Sequence, residues 1–557
     1  MNHRRGLKIS SLLLAVALIF SFACAPTEEV EQPEKVVIIG AGDVPRGFNP
    51  FTEDSNVFFV TMPWIWDSLY QLGLENEAVP DLAKEVAISP DGKIYTITVR
   101  DNAQWHDGVP LTARDVAFTY NYIIDKKLGW YSSLCEQIIE IKAIDDYTVE
   151  MTLDKAWNQD VLNYSTFSII PIIPQHIWQD IAGDEALGLV DFPVEKVIGS
   201  GPYQVVDYAR DEYVRLRATP QAKKEGVKID EWIIKAYADT SVEVQDFKAG
   251  NIDGIYRLGM KLVSVVEEMP GVTLMPVAPN IMYFAIFNSW DKAYEAGRET
   301  HPHPALKDVR VREALDWALD EKVAAELDHG KYAIPGCQYL STYYGDFSHT
   351  ELPGRGYDLD KARQILDEAG YLDTDGDGIR ETAEGLPLEF DSWVAASETG
   401  TLDVATVWAM EAEKIGIKMT VSVVDDDTLW EDMNPKAEYD ISWWGWTGDP
   451  DPYYLLCTPT CGQAVEGGWN ESGYCNPEFD RLYEEEALAV THEERRQILW
   501  KMQELLYKDI PYIIYDYHGS VCTTRNDKLD PEFVKSMGSA GMSILDKEFV
   551  INADTVS

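Results

Sequence analysis

The chain is short of basic residues. Lys and Arg number 47 against 95 Asp and Glu in 557 residues, a formal charge of -48. That balance excludes nucleic acid as a partner, because phosphate binding needs concentrated Lys and Arg. It favours cationic ligands or ions instead. Two hydrolase motifs are also missing. There is no H-E-x-x-H for zinc-assisted attack and no G-x-S-x-G nucleophile elbow. Gly40-Ala41-Gly42 opens like a dinucleotide fingerprint, but Pro45 stands where the third glycine belongs, and no helical period follows. No fixed repeat period recurs. Cysteine is scarce, seven in all, and the spacing of Cys457 and Cys461 has no matching His pair for zinc.

What is present is a globular composition. Hydrophobic residues make 45% and charged residues 25%, and 17 Trp and 29 Tyr are too many for a disordered chain. The length implies two or more lobes. Arg4, Arg5 and Lys8 precede an unbroken apolar run over residues 12–20, which is too short to span a bilayer. Ser21-Phe22-Ala23 and then Cys24 follow, so residues 1–23 are expected to be a secretory signal. Cys24 after Ala23 resembles a bacterial lipobox, which implies a lipidated Cys24. The Pro- and Glu-rich stretch over 24–35 then suits a flexible tether. Outside the cytoplasm disulfides are allowed. Cys461 and Cys475 flank a Gly- and Asn-rich loop and are the first-choice pair, with Cys457 as the alternative partner of either.

Periodicity predicts mixed secondary structure. Alternating strands are expected over 94–99 and 145–153, and helices over 57–70 and 112–122. Further on, helices are expected over 309–325, 358–369, 400–415 and 493–506. Strands are expected over 386–390, 417–424 and 512–515. Helix and strand alternate in this second half. The expected class is α/β, not a sandwich or a bundle.

Several stretches resemble one family. Trp105-His106-Asp107-Gly108 after a strand, with Pro110-Leu111-Thr112-Ala113 leading into a helix, is similar to the signature of the dipeptide, oligopeptide and nickel class of bacterial extracellular solute-binding proteins, family 5. Phe48-Asn49-Pro50 and Pro80-Asp81-Leu82-Ala83 come before it. Gly199-Ser200-Gly201-Pro202-Tyr203, Ala249-Gly250-Asn251-Ile252-Asp253 and Val311-Arg312-Glu313-Ala314-Leu315 follow in order, then 362–371, Gly445-Trp446-Thr447-Gly448-Asp449 and 473–480. The resemblance implies a two-lobed periplasmic-binding-protein fold that closes about a hinge. It places lobe I at 36–287 with an inserted subdomain at about 76–195. Lobe II falls at 288–510, with a return to lobe I over 511–557. It implies a monomeric, lipid-anchored, extracytoplasmic binding protein serving an ABC permease, and not an enzyme. The His106 corner is read as structural.

The resemblance also places a ligand site. Asp449 matches the aspartate that holds a peptide's α-ammonium, and a carboxylate in a closed cleft suits that task. Trp443, Trp444 and Trp446 alternate along a strand, so Trp444 and Trp446 share a face. Trp446 and Trp393 are expected in the cleft, with Trp130 and Tyr131 as further candidates. Dipeptide-binding relatives carry an arginine after the strand of Trp393. Residues 394–400 have no basic residue and instead contain Glu398. The expected ligand is therefore an oligopeptide, with an oligosaccharide stacked on aromatic faces as the alternative. A hydrolase dyad of Asp449 and Asp451 is disfavoured, because both lie on one loop through Pro450.

Asp373, Asp375, Asp377, the carbonyl of Ile379, Glu381 and Glu384 match the spacing of an EF-hand calcium loop, with Gly378 at the turn. Glu381 is expected to act through water and Glu384 as a bidentate ligand. A strand, not a second helix, is expected to follow. The expectation is an isolated structural Ca2+ loop and no other cofactor.

Overall fold

A computed structural model describes residues 34–556 apart from 54, 75–76, 182–191, 291–301, 432, 434–438 and 466–467. The expected signal sequence and Cys24 lie outside the described residues. At the end of the expected tether, the Lys35 amide donates to Asp230 Oδ2 at 2.7 Å, so the chain is already fixed there.

The first lobe is built on a seven-stranded sheet. Its order is Val272–Pro276, Val521–Arg525, Gly254–Ile255, Val36–Ala41, Glu231–Ala236, Tyr213–Ala218 and Tyr203–Ala209. Val36–Ala41 is central and runs parallel to both of its neighbours. It is apolar on both faces because both are covered. Val37 and Ile39 enter the large core, while Ile38 meets a smaller cluster with Val244, Phe247 and Val263.

A four-stranded antiparallel sheet is inserted in this lobe, in the order Ala83–Ile88, Ile94–Val99, Thr148–Leu153, Ile138–Ala143. Helix Ala113–Lys126 begins with a capping box. The Thr112 hydroxyl accepts from the Arg114 amide, and Asp115 accepts from the Thr112 amide at 2.9 Å. The signature corner joins two motifs. The Gly199 amide donates to His106 Nδ1 at 3.2 Å, and His106 Nε2 lies 3.0 Å from the Gly201 carbonyl. Burial holds the His106 imidazole below its ordinary pKa, against the hydrogen bond to Gly201. The corner is neutral and structural.

The second lobe carries a six-stranded sheet in the order Ile334–Pro335, Tyr512–His518, Ile281–Phe287, Ile441–Thr447, Glu389–Ala395, Lys418–Val424. One face packs on helices Val309–Trp317, Leu359–Ala369 and Thr399–Glu413, through Leu315, Leu366 and Trp408. The other packs on Pro477–Glu486 and His492–Asp509, through Phe479, Leu499 and Met502.

Several details differ from the sequence reading. The helix expected over 57–70 stops at Ile65, and the strand expected over 386–390 runs over Glu389–Ala395. The single helix expected over 309–325 is two, Val309–Trp317 and Glu321–His329. Asp320 starts the second by accepting from the amides of Lys322 and Val323, and that side-chain cap competes with helix continuation. The lobe boundaries expected after 287 and 510 also shift. Strands Ile281–Phe287 and Tyr512–His518 pair with each other inside the second sheet. The chain therefore crosses between sheets at 277–280 and at 519–520. The two crossings touch, because the Val277 amide donates to the Ser520 carbonyl at 2.8 Å. Gly519 permits this approach: a Cβ there would sit 2.0 Å from the Val277 carbonyl oxygen.

Candidate functional site

Two adjoining cavities of about 640 and 520 Å³ lie against the first crossing, with walls from both lobes. They share Tyr164, Val277, Ala278, Tyr343, Pro450 and Gly541. The size suits a small organic ligand. The second lobe contributes Thr447 to Pro450 at the end of strand Ile441–Thr447. Ahead of Asp449, the Gly448 amide donates to the Asn280 carbonyl at 2.7 Å. Behind it, the buried Asp451 carboxylate meets Arg495 in a two-bonded fork of 2.5 and 2.7 Å. Arg495 Nε also donates to Glu486 at 2.7 Å. The loop is thus pinned on both sides of Asp449.

Asp449 opens into the cleft and has no hydrogen-bond or ion-pair partner among the described residues. The surrounding protein pushes its carboxyl up to about 6, with a smaller contribution from Asp451. Asp451 is turned inward and committed to Arg495. The two acids therefore cannot act as a pair across a sugar, in keeping with the sequence reading.

Across the cavity the first lobe presents two cations. Lys547 Nζ lies 2.7 Å from Asp67 Oδ1 and 2.8 Å from Asp81 Oδ2, and Arg100 approaches Asp81 at 3.2 Å. This is a closed, neutral group. Arg257 differs. It is exposed to the cleft, makes no ion pair among the described residues and lies over the Tyr256 ring at 5.2 Å. Its φ of +57° is in the left-handed region, which non-glycine residues adopt only under constraint.

The expected aromatic residues fall elsewhere. Trp443 packs into one face of the sheet, while Trp444 and Trp446 lie on the other, as alternation requires. Trp446, however, meets Trp444 and Trp469 edge-on at 6.5 and 5.6 Å, and Trp393 joins the same cluster. Neither lines the cavities, because each finds apolar partners within its own lobe. Tyr131 is a core residue, 1% exposed, with its hydroxyl 3.7 Å from Met62 Sδ. The side chain of Trp130 is outside the described residues. The aromatic walls of the cavities are instead Phe59, Tyr70, Tyr164, Tyr256, Tyr343, Tyr344 and Phe347. They come from distant parts of the chain and share no local pattern. Glu398 turns to Tyr283, whose hydroxyl donates to it at 3.2 Å, and burial raises its carboxyl above the usual range.

At 373–384 the loop folds on its own backbone. Asp373 accepts from the amides of Gly376 and Gly378 at 2.7 and 3.0 Å, and Asp377 accepts from the Ile379 amide at 2.7 Å. Asp373, Asp375, Asp377 and Glu381 bring one oxygen each within 4.8 Å of one another. Glu384, expected as the bidentate ligand, is outside this group. Leu372 bridges Glu381 in strand fashion, which turns the chain back early and puts Glu381 there instead. Cys461 and Cys475 are bonded with sulfurs 2.08 Å apart, and Cys457 is a free thiol.

Comparison with known proteins gives this architecture its place. The model of bacterial extracellular solute-binding proteins, family 5 (its middle region), matches residues 77–465. The chain is 25% identical over 540 residues to the oligopeptide-binding protein AppA of Bacillus subtilis, covering 93% of this chain and 94% of that one. The structure of Bacillus subtilis AppA in complex with a nonapeptide superposes with a TM-score of 0.72 at 22% identity, over 90% of this chain and 96% of that one. A mannohexaose-bound periplasmic oligopeptide-binding protein of Thermotoga maritima gives a TM-score of 0.73 at 20% identity, over 94% and 99%. No helix among the described residues is long and apolar enough to cross a membrane. A two-lobed α/β chain with a cavity at its crossing segments, matched by the family model over most of its length, belongs to the bacterial extracellular solute-binding proteins of family 5, a family of transporter components and not of enzymes.

Proposed function

We propose that this chain captures oligopeptides outside the cytoplasmic membrane and delivers them to an ABC permease, with Asp449 holding the ligand's α-ammonium group. The observation that carries this reading is Asp449 itself. It is a cleft carboxylate with no partner of its own, on a loop fixed on both sides by Asn280 and Arg495. Asp449 is exposed to the cleft, the protein around it disfavours its charge and it meets no cation, so a ligand ammonium is the natural complement. The crossings at 277–280 and 519–520 would serve as the hinge on which the lobes close. The relative from Bacillus subtilis is named for oligopeptides, which supports the class. Tyrosine and phenylalanine walls also suit an oligosaccharide, but a neutral sugar leaves Asp449 uncompensated. In this reading the protein works as a monomer tethered through lipid at Cys24. The oxygen cluster of Asp373, Asp375, Asp377 and Glu381 takes a structural Ca2+ with the Ile379 carbonyl.

The test is native mass spectrometry of residues 25–557 purified from a rich lysate, followed by denaturation to release the cargo. Short peptides are expected. Bound oligosaccharides in place of peptides would overturn the peptide reading and leave the transport role.

A further inference from the structure

We propose that His329, Asp516 and His518 form a binding site for a divalent transition-metal ion of the zinc type, in the second lobe and apart from the cleft. None of the three lines either cavity. His329 ends helix Glu321–His329, and Asp516 and His518 stand two places apart on strand Tyr512–His518. The first observation is convergence. His329 Nδ1 lies 2.6 Å from Asp516 Oδ2, and His518 Nδ1 lies 2.8 Å from the same oxygen. One donor atom from each residue falls within 4.8 Å of the others. The second is burial. The side chains of His329, Asp516 and His518 are 11%, 0% and 8% exposed, so bulk water does not serve the cluster. The third is unused bonding capacity. Asp516 Oδ1 is buried and accepts no hydrogen bond among the described residues. The short contact of His329 Nδ1 with Asp516 Oδ2 is not aligned as a hydrogen bond. A ring nitrogen and a carboxylate oxygen held this close with no proton between them repel, unless a cation joins them.

The charge around the cluster is one-sided. Asp328 approaches His329 Nδ1 at 3.7 Å and accepts from the hydroxyls of Tyr515 and Thr401. Glu398 accepts from Tyr283, whose ring lies against both imidazoles at 5.0 and 5.4 Å. No Lys or Arg pairs with Asp516, Asp328 or Glu398 among the described residues. The carbonyls at the C-terminal end of helix Glu321–His329 add partial negative charge at the same place. Two imidazoles and one carboxylate make a donor set that suits Zn2+ better than Ca2+ or Mg2+. The imidazoles stack at 3.5 Å and 17°, so charging both is unfavourable, and a neutral ring keeps a lone pair for a metal. An ion about 2.0–2.1 Å from each donor sets the donors about 3.3 Å apart, so the contacts open by roughly 0.5–0.7 Å as the stacked planes turn toward it. His329 is the partly exposed edge by which an ion enters. Such an ion ties the end of a helix to the last residue before the crossing at 519–520, and stiffens the second lobe at the base of that crossing.

The probe is Zn2+ alone, titrated by calorimetry into the chelator-treated protein (residues 25–557), with excess Ca2+ present to keep the acidic loop at 373–381 from competing. A single Zn2+ per chain is expected to bind and to raise the melting temperature. His329→Gln and His518→Gln should each weaken Zn2+ binding by about tenfold or more, whereas Asp375→Asn in the acidic loop should bind it like the parent. Each histidine variant should melt close to the chelated parent, which separates loss of the ion from loss of the fold. X-ray absorption of the zinc-loaded parent reads the donor set without any variant. Two imidazoles are expected, and a shell of oxygens alone overturns the site. No Zn2+ uptake by the parent, or uptake unchanged in both histidine variants, also overturns it. Either failure leaves the peptide reading intact, because the cluster lies outside both cavities.

Discussion

At Asp449 the walls that enclose the carboxyl and raise it to about 6 also decide when the residue is charged. Above that value it is an anion ready for an ammonium, and below it the attraction is gone. Affinity for a peptide with a free amine is therefore expected to fall as pH drops from 7.5 to 5, measured by calorimetry in matched buffers. Asp449→Asn should weaken binding at pH 7.5 by about ten- to a hundredfold, the worth of a hydrogen bond to a charged group, and should flatten the pH profile. An unchanged affinity in the variant would remove Asp449 from the site. Asp449 could be singled out in the sequence by its family resemblance after Trp446-Thr447-Gly448, and the structure puts it on a cavity wall. The left-handed turn at Arg257 was not legible, because it is set by distant partners: the Tyr256 amide donates to the Gly40 carbonyl at 2.8 Å and the Leu258 amide to the Val521 carbonyl at 2.7 Å. Trp446 and Trp393 pack their rings within their own lobe and not along the two cavities, an outcome set by tertiary neighbours and not by local pattern.

At the scale of elements, local signals carried most of the reading. Helix Leu359–Ala369 has Asp358 at its start and Gly370 in the left-handed region at its end, and both ends were visible. Strand Ile94–Val99 was visible by alternation. The break at Asp320 was hidden because Ala324 and Ala325 continue an apolar face across it. The crossings were hidden too. Pairing of Ile281–Phe287 with Tyr512–His518 joins segments more than two hundred residues apart, which no local period records. Gly519 makes the crossings testable. Gly519→Ala would press a methyl onto the Val277 carbonyl, and an overpacked contact of this kind costs about 1–3 kcal/mol. Urea unfolding should show that loss, and a variant as stable as the parent would mean that the two crossings can part without penalty. The acidic loop offers a second test. Added Ca2+ should raise the melting temperature of the parent, and Asp375→Asn should blunt the rise. Glu384→Gln should have little effect, since Glu384 is outside the oxygen cluster.

At the scale of the molecule the surplus of acid reaches the interior. Burial pushes the carboxyls of Glu243 and Glu471 up to about 8, and it pushes Glu486 up to about 7 against the pull of Arg495. Each folded value is above that of the unfolded chain. The folded state therefore holds extra protons between the two values, and stability falls as pH rises from about 5 to 8. Asp67 works the other way. Its burial is outweighed by Lys547 and then Arg100, so it is held below the usual range, and stability is lost again as pH drops through that lowered value. A scan of melting temperature should show a mildly acidic optimum, with pH 8.5 several degrees below pH 5.5. A maximum on the alkaline side would contradict the three buried glutamates. The sheet order carries one more consequence. Val521–Arg525 is the strand that joins Val272–Pro276 to Gly254–Ile255, and it lies only 32 residues from the C-terminus. The first sheet therefore stays in two pieces until every strand of the second has been made, and a chain built from its N-terminus finishes its second sheet before its first.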